Sequence, residues 1–351
     1  MPQIIIQPSP LCFSSLIEDI LIRTSRESGL LNIELTGDET VYKVLEETMT
    51  PYKQLIRISD LSGLLEPYVR EFGEVELRCV FTDSDGTVSI SPVTVLFGHV
   101  DVGMPAADFV ENHFLTVLDG EKMTAYDRME RLGVYGSEQV TVEAEVRLPV
   151  GTYAEKSAVL AEESQGGLSV RHIDVSPKRV AEAIELVGGR LLAYTVKSGK
   201  RIQEFRIVED LTPPDPSLAF VNSFGVIEYL HCCGTLKRDS KFTRSQVRIS
   251  RRQKVYSVVE DKQFTANTGW LNDAMSDWAE ELFRSREVYL LEDGRLGHEV
   301  VLTDSKSDWN NEEDEMVAYE FSYAYADRMQ NVMRRTKRVR IFSEQFEDIY
   351  N

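Results

Sequence analysis

The sequence predicts a mostly β protein: two tandem β-sandwich (immunoglobulin-like) domains followed by an α+β sandwich or barrel domain with one amphipathic helix. Three observations predict it. Apolar and polar residues alternate in short runs along most of the 351 residues, the two-residue period of half-buried strands. Turn chemistry separates the runs. The period lengthens to that of a helix once, near residues 269–284.

The first domain is expected over residues 1–104. Leu31-Ile33-Leu35, Ile56-Ile58, Val75-Leu77-Cys79-Phe81, Val88-Ile90 and Val93-Val95-Phe97 alternate with polar residues, and Gly37-Asp38, Asp83-Ser84-Asp85-Gly86 and Gly98 punctuate them. Asp85-Gly86 between two alternating runs is a hairpin signal. Roughly seven or eight short strands result, the size of an immunoglobulin-like domain. The acidic turn lacks the twelve-residue spacing and terminal glutamate of a calcium loop, so a plain turn is expected.

A break at Val102-Gly103-Met104-Pro105 opens the second sandwich, residues 105–212. Phe114 to Leu118 resumes the strand habit. Val140-Val142-Ala144-Val146-Leu148 is a regular alternating strand ending at Pro149. Leu168-Val170 and Ile173-Val175 follow, Ser176-Pro177 starts a short turn-like or helical piece, and Gly188-Gly189 stops it. Leu192-Tyr194-Val196 and Ile202-Phe205-Ile207 bracket a turn at Ser198-Gly199-Lys200.

Residues 213–217 form a Pro-rich linker: Pro213, Pro214 and Pro216 cannot donate to a ladder, so the chain is expected to be extended and stiff there. The third domain is expected over 218–351, with strands around Phe220–Asn222, Val226–Cys233 and Val247–Val259. Leu271, Ala274, Met275, Trp278, Ala279 and Leu282 then place one apolar stripe on a helix, with Asn267 or Thr268 as cap. Strands resume at Val288–Leu290 and Val300–Leu302, and Tyr319-Phe321-Tyr323-Tyr325 closes the sheet. Trp270, Trp278 and Tyr323 could form an aromatic platform, although their spacing suits helix-to-sheet packing better.

Composition narrows the function classes. With 58 acids against 39 Lys and Arg, the net charge is −19, which disfavours nucleic acid and anionic membranes as partners. No apolar run approaches membrane-spanning length, and the N-terminus lacks the basic and apolar regions of a secretory signal. Cys12 and Cys79 are spaced like the pinned pair of an antibody-type sandwich, but no tryptophan lies between them, and no disulfide is expected. His231-Cys232-Cys233 offers at most two ligands to one face of a strand, so Cys232 and Cys233 are expected to be small buried strand residues. No phosphate-binding loop, nucleophile elbow or metal-ligand spacing occurs. The acidic tract Glu312-Glu313-Asp314-Glu315 beside Trp309 could bind a cation or a sugar, but a solvated loop between strands is the commoner explanation. No catalytic, cofactor-binding or metal residue is nominated, and a protein without enzymatic activity or cofactor is expected.

Several phrases resemble uncharacterised structural proteins of phages and prophages of Bacteroidetes-type bacteria. Phe220-Val221-Asn222-Ser223-Phe224-Gly225-Val226-Ile227-Glu228 is similar to their aromatic-x-Asn-x-Phe/Trp-Gly-x-x-Glu phrase. Thr268-Gly269-Trp270-Leu271, the helix to Ser285 and Val288-Tyr289-Leu290 resemble their helix followed by Ser-x-x-Val-Tyr. Phe114-Leu115-Thr116, Asp174-Val175-Ser176-Pro177 and the closing Arg340-Ile341-Phe342-Ser343-Glu344-Gln345-Phe346 add further likeness. Asp119-Gly120-Glu121-Lys122 departs from a more proline-rich stretch in that group. The resemblance implies a tail or virion component of the tube, baseplate or fibre-attachment region. Such a component would be assembled in the host cytoplasm and act as a closed oligomer with itself and other virion proteins. The residues expected to mediate assembly are Phe220, Asn222, Phe224 and Gly225, the basic run Arg334, Arg335, Lys337, Arg338 and Arg340, and the aromatic tail Phe342, Phe346 and Tyr350. The basic run reads equally as an edge strand carrying protective cations, and the tail as a segment pairing with its own domain. The alternative is an adhesin or carbohydrate-binding module of tandem sandwiches, with a host surface glycan as partner.

Overall fold

A computed structural model describes residues 1–327 apart from 39, 100–102, 166–167, 210–213, 250, 293 and 307–316. The protein is mostly β, with several sheets and four helices among the described residues. Three apolar cores each draw on an almost continuous part of the chain, and a fourth joins them.

The first part runs β1 (Gln3–Ile6), β2 (Leu11–Phe13), β3 (Ile20–Arg23), β4 (Gly29–Gly37), β5 (Thr40–Met49), β6 (Leu55–Ile58), α1 (Leu61–Phe72), β7 (Glu74–Asp83), β8 (Gly86–Ser89) and β9 (Val93–Leu96). A three-stranded sheet, β1-β3-β6, and a six-stranded sheet, β2-β9-β7-β4-β5 with β8 on β7, enclose one core. Alternation explains it: Leu31, Ile33 and Leu35 of β4 and Val75, Leu77, Cys79 and Phe81 of β7 all face inward and are buried. The Asp85-Gly86 turn joins β7 to β8, and Asp83 Oδ1 accepts from both Asp85 N and Gly86 N, at 2.7 and 3.1 Å.

Helix α1 was not expected from the sequence. Leu61, Leu64, Leu65, Tyr68, Val69 and Phe72 form one apolar stripe, and Leu61, Leu65 and Val69 are buried. Pro67 removes the hydrogen bond that its nitrogen would donate to the Gly63 carbonyl. The buried stripe holds the helix nonetheless, because packing of one apolar face outweighs local propensity.

The second part holds α2 (Ala106–Asn112), β10 (Glu121–Thr124), β11 (Arg131–Tyr135), β12 (Val140–Arg147), β13 (Tyr153–Ala161), β14 (Val170–Asp174), α3 (Pro177–Ala183), β15 (Arg190–Ser198) and β16 (Arg201–Ile207). The five-stranded sheet β10-β16-β15-β12-β13 faces the β11-β14 pair. Phe114–Leu118, expected as a strand, is irregular instead. The reason is its burial pattern: Phe114 enters the second core, Leu115 the joining core and Leu118 the third core. One segment facing three directions cannot keep the two-sided alternation of a strand.

The third part comprises β17 (Ser217–Val221), β18 (Ile227–His231), β19 (Leu236–Ile249), β20 (Arg252–Asn267), α4 (Asp273–Arg284), β21 (Val288–Glu292), β22 (Arg295–Lys306) and β23 (Glu320–Tyr325). They form a seven-stranded sheet, β18-β17-β21-β22-β23-β20-β19, antiparallel throughout. β23 therefore lies inside the sheet rather than closing it. Helix α4 buries Met275, Trp278, Ala279 and Leu282. Its cap is Asn272, whose side chain accepts from Met275 N, rather than Asn267 or Thr268. The stretch Val247–Val259, expected as one strand, is divided between β19 and β20 by a tight turn in which Arg251 has φ 66°.

Candidate interaction surfaces

Phe220, Asn222, Phe224 and Gly225 were expected to face a neighbouring subunit. The structure places them at the seam of the protein's own three parts. Phe220 is fully buried in the third core, 5.7 Å from the Trp278 ring. Asn222 organises the turn: its Oδ1 accepts from Phe224 N and Val226 N, both at 2.9 Å, and its Nδ2 donates to the Leu115 carbonyl at 2.9 Å. Gly225 takes φ 77°, a left-handed conformation costly for side-chain-bearing residues. A Cβ there would also lie 2.9 Å from the Phe97 ring. Phe224 thereby stacks on Phe109 at 5.1 Å and meets the edge of Phe13 at 5.6 Å. With Leu96, Ala106, Val110, Leu115, Tyr135 and Val226, these residues make the joining core. The correction holds for Phe220, Asn222 and Phe224, because side chains buried within one copy offer little surface to another; Gly225 is exposed.

A second seam is polar. Lys122 in β10 is buried, donates to Glu130 Oε2 at 2.7 Å and to the Tyr229 carbonyl at 3.3 Å, and lies 3.9 Å from the Trp278 ring centroid. Thr124 Oγ1 donates to Glu130 Oε1, and Trp278 Nε1 donates to Glu228 Oε2 at 2.9 Å. Burial raises the pKa of Glu228, opposed by the Lys122 charge and by donated hydrogen bonds. A half-paired cluster in such a place is costly, so these contacts fix how the second and third parts meet.

Between the same parts lies a cleft of about 820 Å³, lined in part by Ala125, Arg128, Leu191, Pro214, Ser217 and His231. His231 Nε2 lies 3.2 Å from the Met129 carbonyl, and Nδ1 lies 2.9 Å from Ser217 Oγ. A carbonyl only accepts, so in the neutral ring Nε2 carries the proton and Nδ1 accepts from the serine hydroxyl. Ser217 and His231 are register partners on β17 and β18. The imidazole thus acts as a rung that ties the sheet edge to the Met129 turn. Both cysteines lie just beyond the end of β18; Cys232 is fully buried, whereas Cys233 is exposed and receives a hydrogen bond from Arg128 Nη2 at 2.9 Å, so of two expected buried strand cysteines only the burial of the first holds. Cys12 and Cys79 are thiols, and burial pushes each up to about 12. Trp278 and Tyr323 pack in the third core, while Trp270 is 67% exposed.

Among the described residues, the β19–β20 hairpin is exposed along most of its length. Register pairs run from Leu236↔Ala266 to Ile249↔Arg252, but β20 meets β23 only over Phe264–Asn267. Beyond Phe264 the hairpin is a two-stranded ribbon. The twelve residues Arg238–Ile249 at about 3.3 Å each reach about 40 Å. Phe242, Val247, Ile249, Val255, Tyr256 and Val259 are exposed on it. Between Lys237 and Lys262 stand nine Lys and Arg against Asp239, Glu260 and Asp261, a charge of +6 in a chain of −19. Sequence reasoning missed this, although the concentration of cations over 26 residues was the available signal.

Arg334, Arg335, Lys337, Arg338, Arg340, Phe342, Phe346 and Tyr350 lie outside the described residues, as do Trp309 and the acidic tract Glu312–Glu315. Pro213 of the linker, with Leu211 and Thr212 just before it, also lies outside them. At the linker's far end the Asp215 and Cys232 amides donate to the Cys232 and Pro216 carbonyls respectively. Among the described residues, no helix is long and apolar enough to cross a membrane.

No family model and no curated protein matches the chain. Among solved structures, the fibronectin(III)-like modules of Clostridium thermocellum CbhA are similar at 12% identity and a TM-score of 0.15. That similarity covers 59% of this chain and 94% of the other.

Proposed function

We propose that this protein is a non-enzymatic structural component of a bacteriophage tail or virion, in the tube, baseplate or fibre-attachment region. It works by assembling with copies of itself and with other virion proteins. Its architecture in this reading is two immunoglobulin-like modules and an α+β module locked into one rigid body, with an arm for neighbours. The observation that carries the assembly reading is the ribbon beyond Phe264. Two strands alone are marginally stable in water, and among the described residues neither ribbon edge pairs with a further strand beyond Phe264, which leaves backbone groups that template pairing. Exposed aromatic and branched side chains along it supply the apolar area that such pairing needs. The phage assignment is supported by the likeness of Phe220–Glu228 and of the helix and strand that follow to phage structural proteins.

Light scattering on the purified protein tests the assembly reading. The full chain is expected to form a discrete oligomer at micromolar concentration. A variant in which residues 238–262 are replaced by a two-residue Asn-Gly turn is expected to be monomeric with an unchanged melting profile of the body. A full-length chain that stays monomeric at high concentration defeats the proposal. Peptide mass spectrometry of purified particles tests the virion assignment, with the protein expected among the stoichiometric components.

A further inference from the structure

The five-stranded sheet of the second part covers its core with one face only. Val142, Ala144 and Val146 of β12 and Phe205 of β16 point inward and are buried, whereas Glu143, Glu145, Glu155 and Glu204 on the opposite face are exposed. Glu145 and Glu155 are direct register partners on β12 and β13. Like charges directly opposite on one face are destabilising. Lys197 pairs with Glu143 at 2.5 Å and Arg206 with Glu121 at 2.8 Å; Arg206 also feels the charge of Glu145, and Arg147 stands on the same face of β12 opposite Tyr153. Exposed Tyr153 and Val159 flank the two glutamates on β13.

Two surfaces of opposite charge therefore sit on one chain, for outward on β12 and β13 stand Glu143, Glu145 and Glu155 against Arg147 alone. The ribbon carries +6, and the rest of the sequence carries −25. A homo-oligomer requires each copy to bear both halves of a contact. We propose that the β19–β20 ribbon of one copy lies across the exposed β12–β13 face of a second copy. Arg244 and Arg248, which share one face of β19 with Phe242, then sit against Glu145 and Glu155, and Phe242 lies on Tyr153 or Val159. The cations of the arm remove the repulsion within the glutamate pair, and the sheet face supplies the packing that a lone ribbon lacks. Opposite charge also steers the arm to its site before contact. This inference rests on the assembly reading above and names the surface and partner that it uses.

A charge swap tests it by sedimentation velocity. One variant reverses the arm (R244E/R248E) and another reverses the face (E145K/E155K); all four side chains are exposed, and circular dichroism checks that both variants fold. Each variant alone is expected to lose self-association by at least about a hundredfold, since like charges then face each other. Mixing the two is expected to restore it, because the acidic arm of one meets the basic face of the other. Association that survives either reversal in an assembling protein overturns this inference alone, as does a mixture that fails to recover. A monomeric wild type overturns the assembly reading and this inference together.

Discussion

Glu228 is fully enclosed, and burial holds its pKa above the usual 4.5 although Lys122 lies nearby and Trp278 donates to it. A carboxyl whose pKa is raised on folding binds its proton more tightly in the native state. Its contribution to stability is therefore fully present below about pH 4.5 and is lost as pH climbs through the raised native value. Glu228→Gln keeps the size and an acceptor for the Trp278 N–H while removing the ionisation. Urea denaturation between pH 4.5 and 8 is expected to show the variant gaining on the wild type as pH rises; parallel pH profiles would refute this account. None of this was visible in the sequence, where Glu228 appeared only within a phrase of resemblance. The burial of one acid among 58 depends on partners, Lys122 and Trp278, that lie 106 and 50 positions away.

Among the elements, α4 was legible because its stripe runs uninterrupted from Leu271 to Leu282 and nothing in it breaks a helix. α1 carries apolar residues at the same spacing from Leu61 to Phe72, yet Gly63 and Pro67 interrupt it as a helix signal. The alternating strands β4, β7 and β12 were readable for the complementary reason: one face is buried and the other is wet along their whole length. β19 and β20 were not, since an exposed ribbon has no buried face to impose a pattern. Its dominant signal was charge, and charge does not report where a strand ends. The ribbon also has its own expected behaviour. In the unassembled protein, amides of residues 253–263 should exchange with deuterium at least about a hundredfold faster than those of β12 or β17, because two-stranded pairing protects weakly. In the oligomer the same amides should become protected. Equal protection in both states would mean that the ribbon gains nothing from neighbours.

For the whole molecule, the joining core decides whether three parts behave as one. Phe13 comes from the first part, Phe109 and Leu115 from the second, and Phe224 and Val226 from the third. Truncating Phe224 removes both of its ring contacts at once. Phe224→Ala is expected to cost about 3–5 kcal/mol, the usual range for a large aromatic lost from a core. Calorimetry should then show a single unfolding transition in the wild type split into at least two in the variant. A uniform downward shift without splitting would indicate that the polar seam around Lys122 couples the parts on its own. The sequence marked Phe224 as special but could not say toward what, since an apolar side chain looks alike whether it packs on its own chain or on another.

Asn222 leaves the ribosome 107 residues after the Leu115 carbonyl to which it donates. At roughly 5–20 residues per second that interval is about 5–20 s. Throughout it, the rings of Phe13 and Phe109 stand uncovered on a nascent chain whose first core can already close. Translation speed and chaperone supply are therefore expected to bear on how much of this protein reaches its finished form, and the soluble yield of cell-free synthesis at slowed and normal elongation checks it.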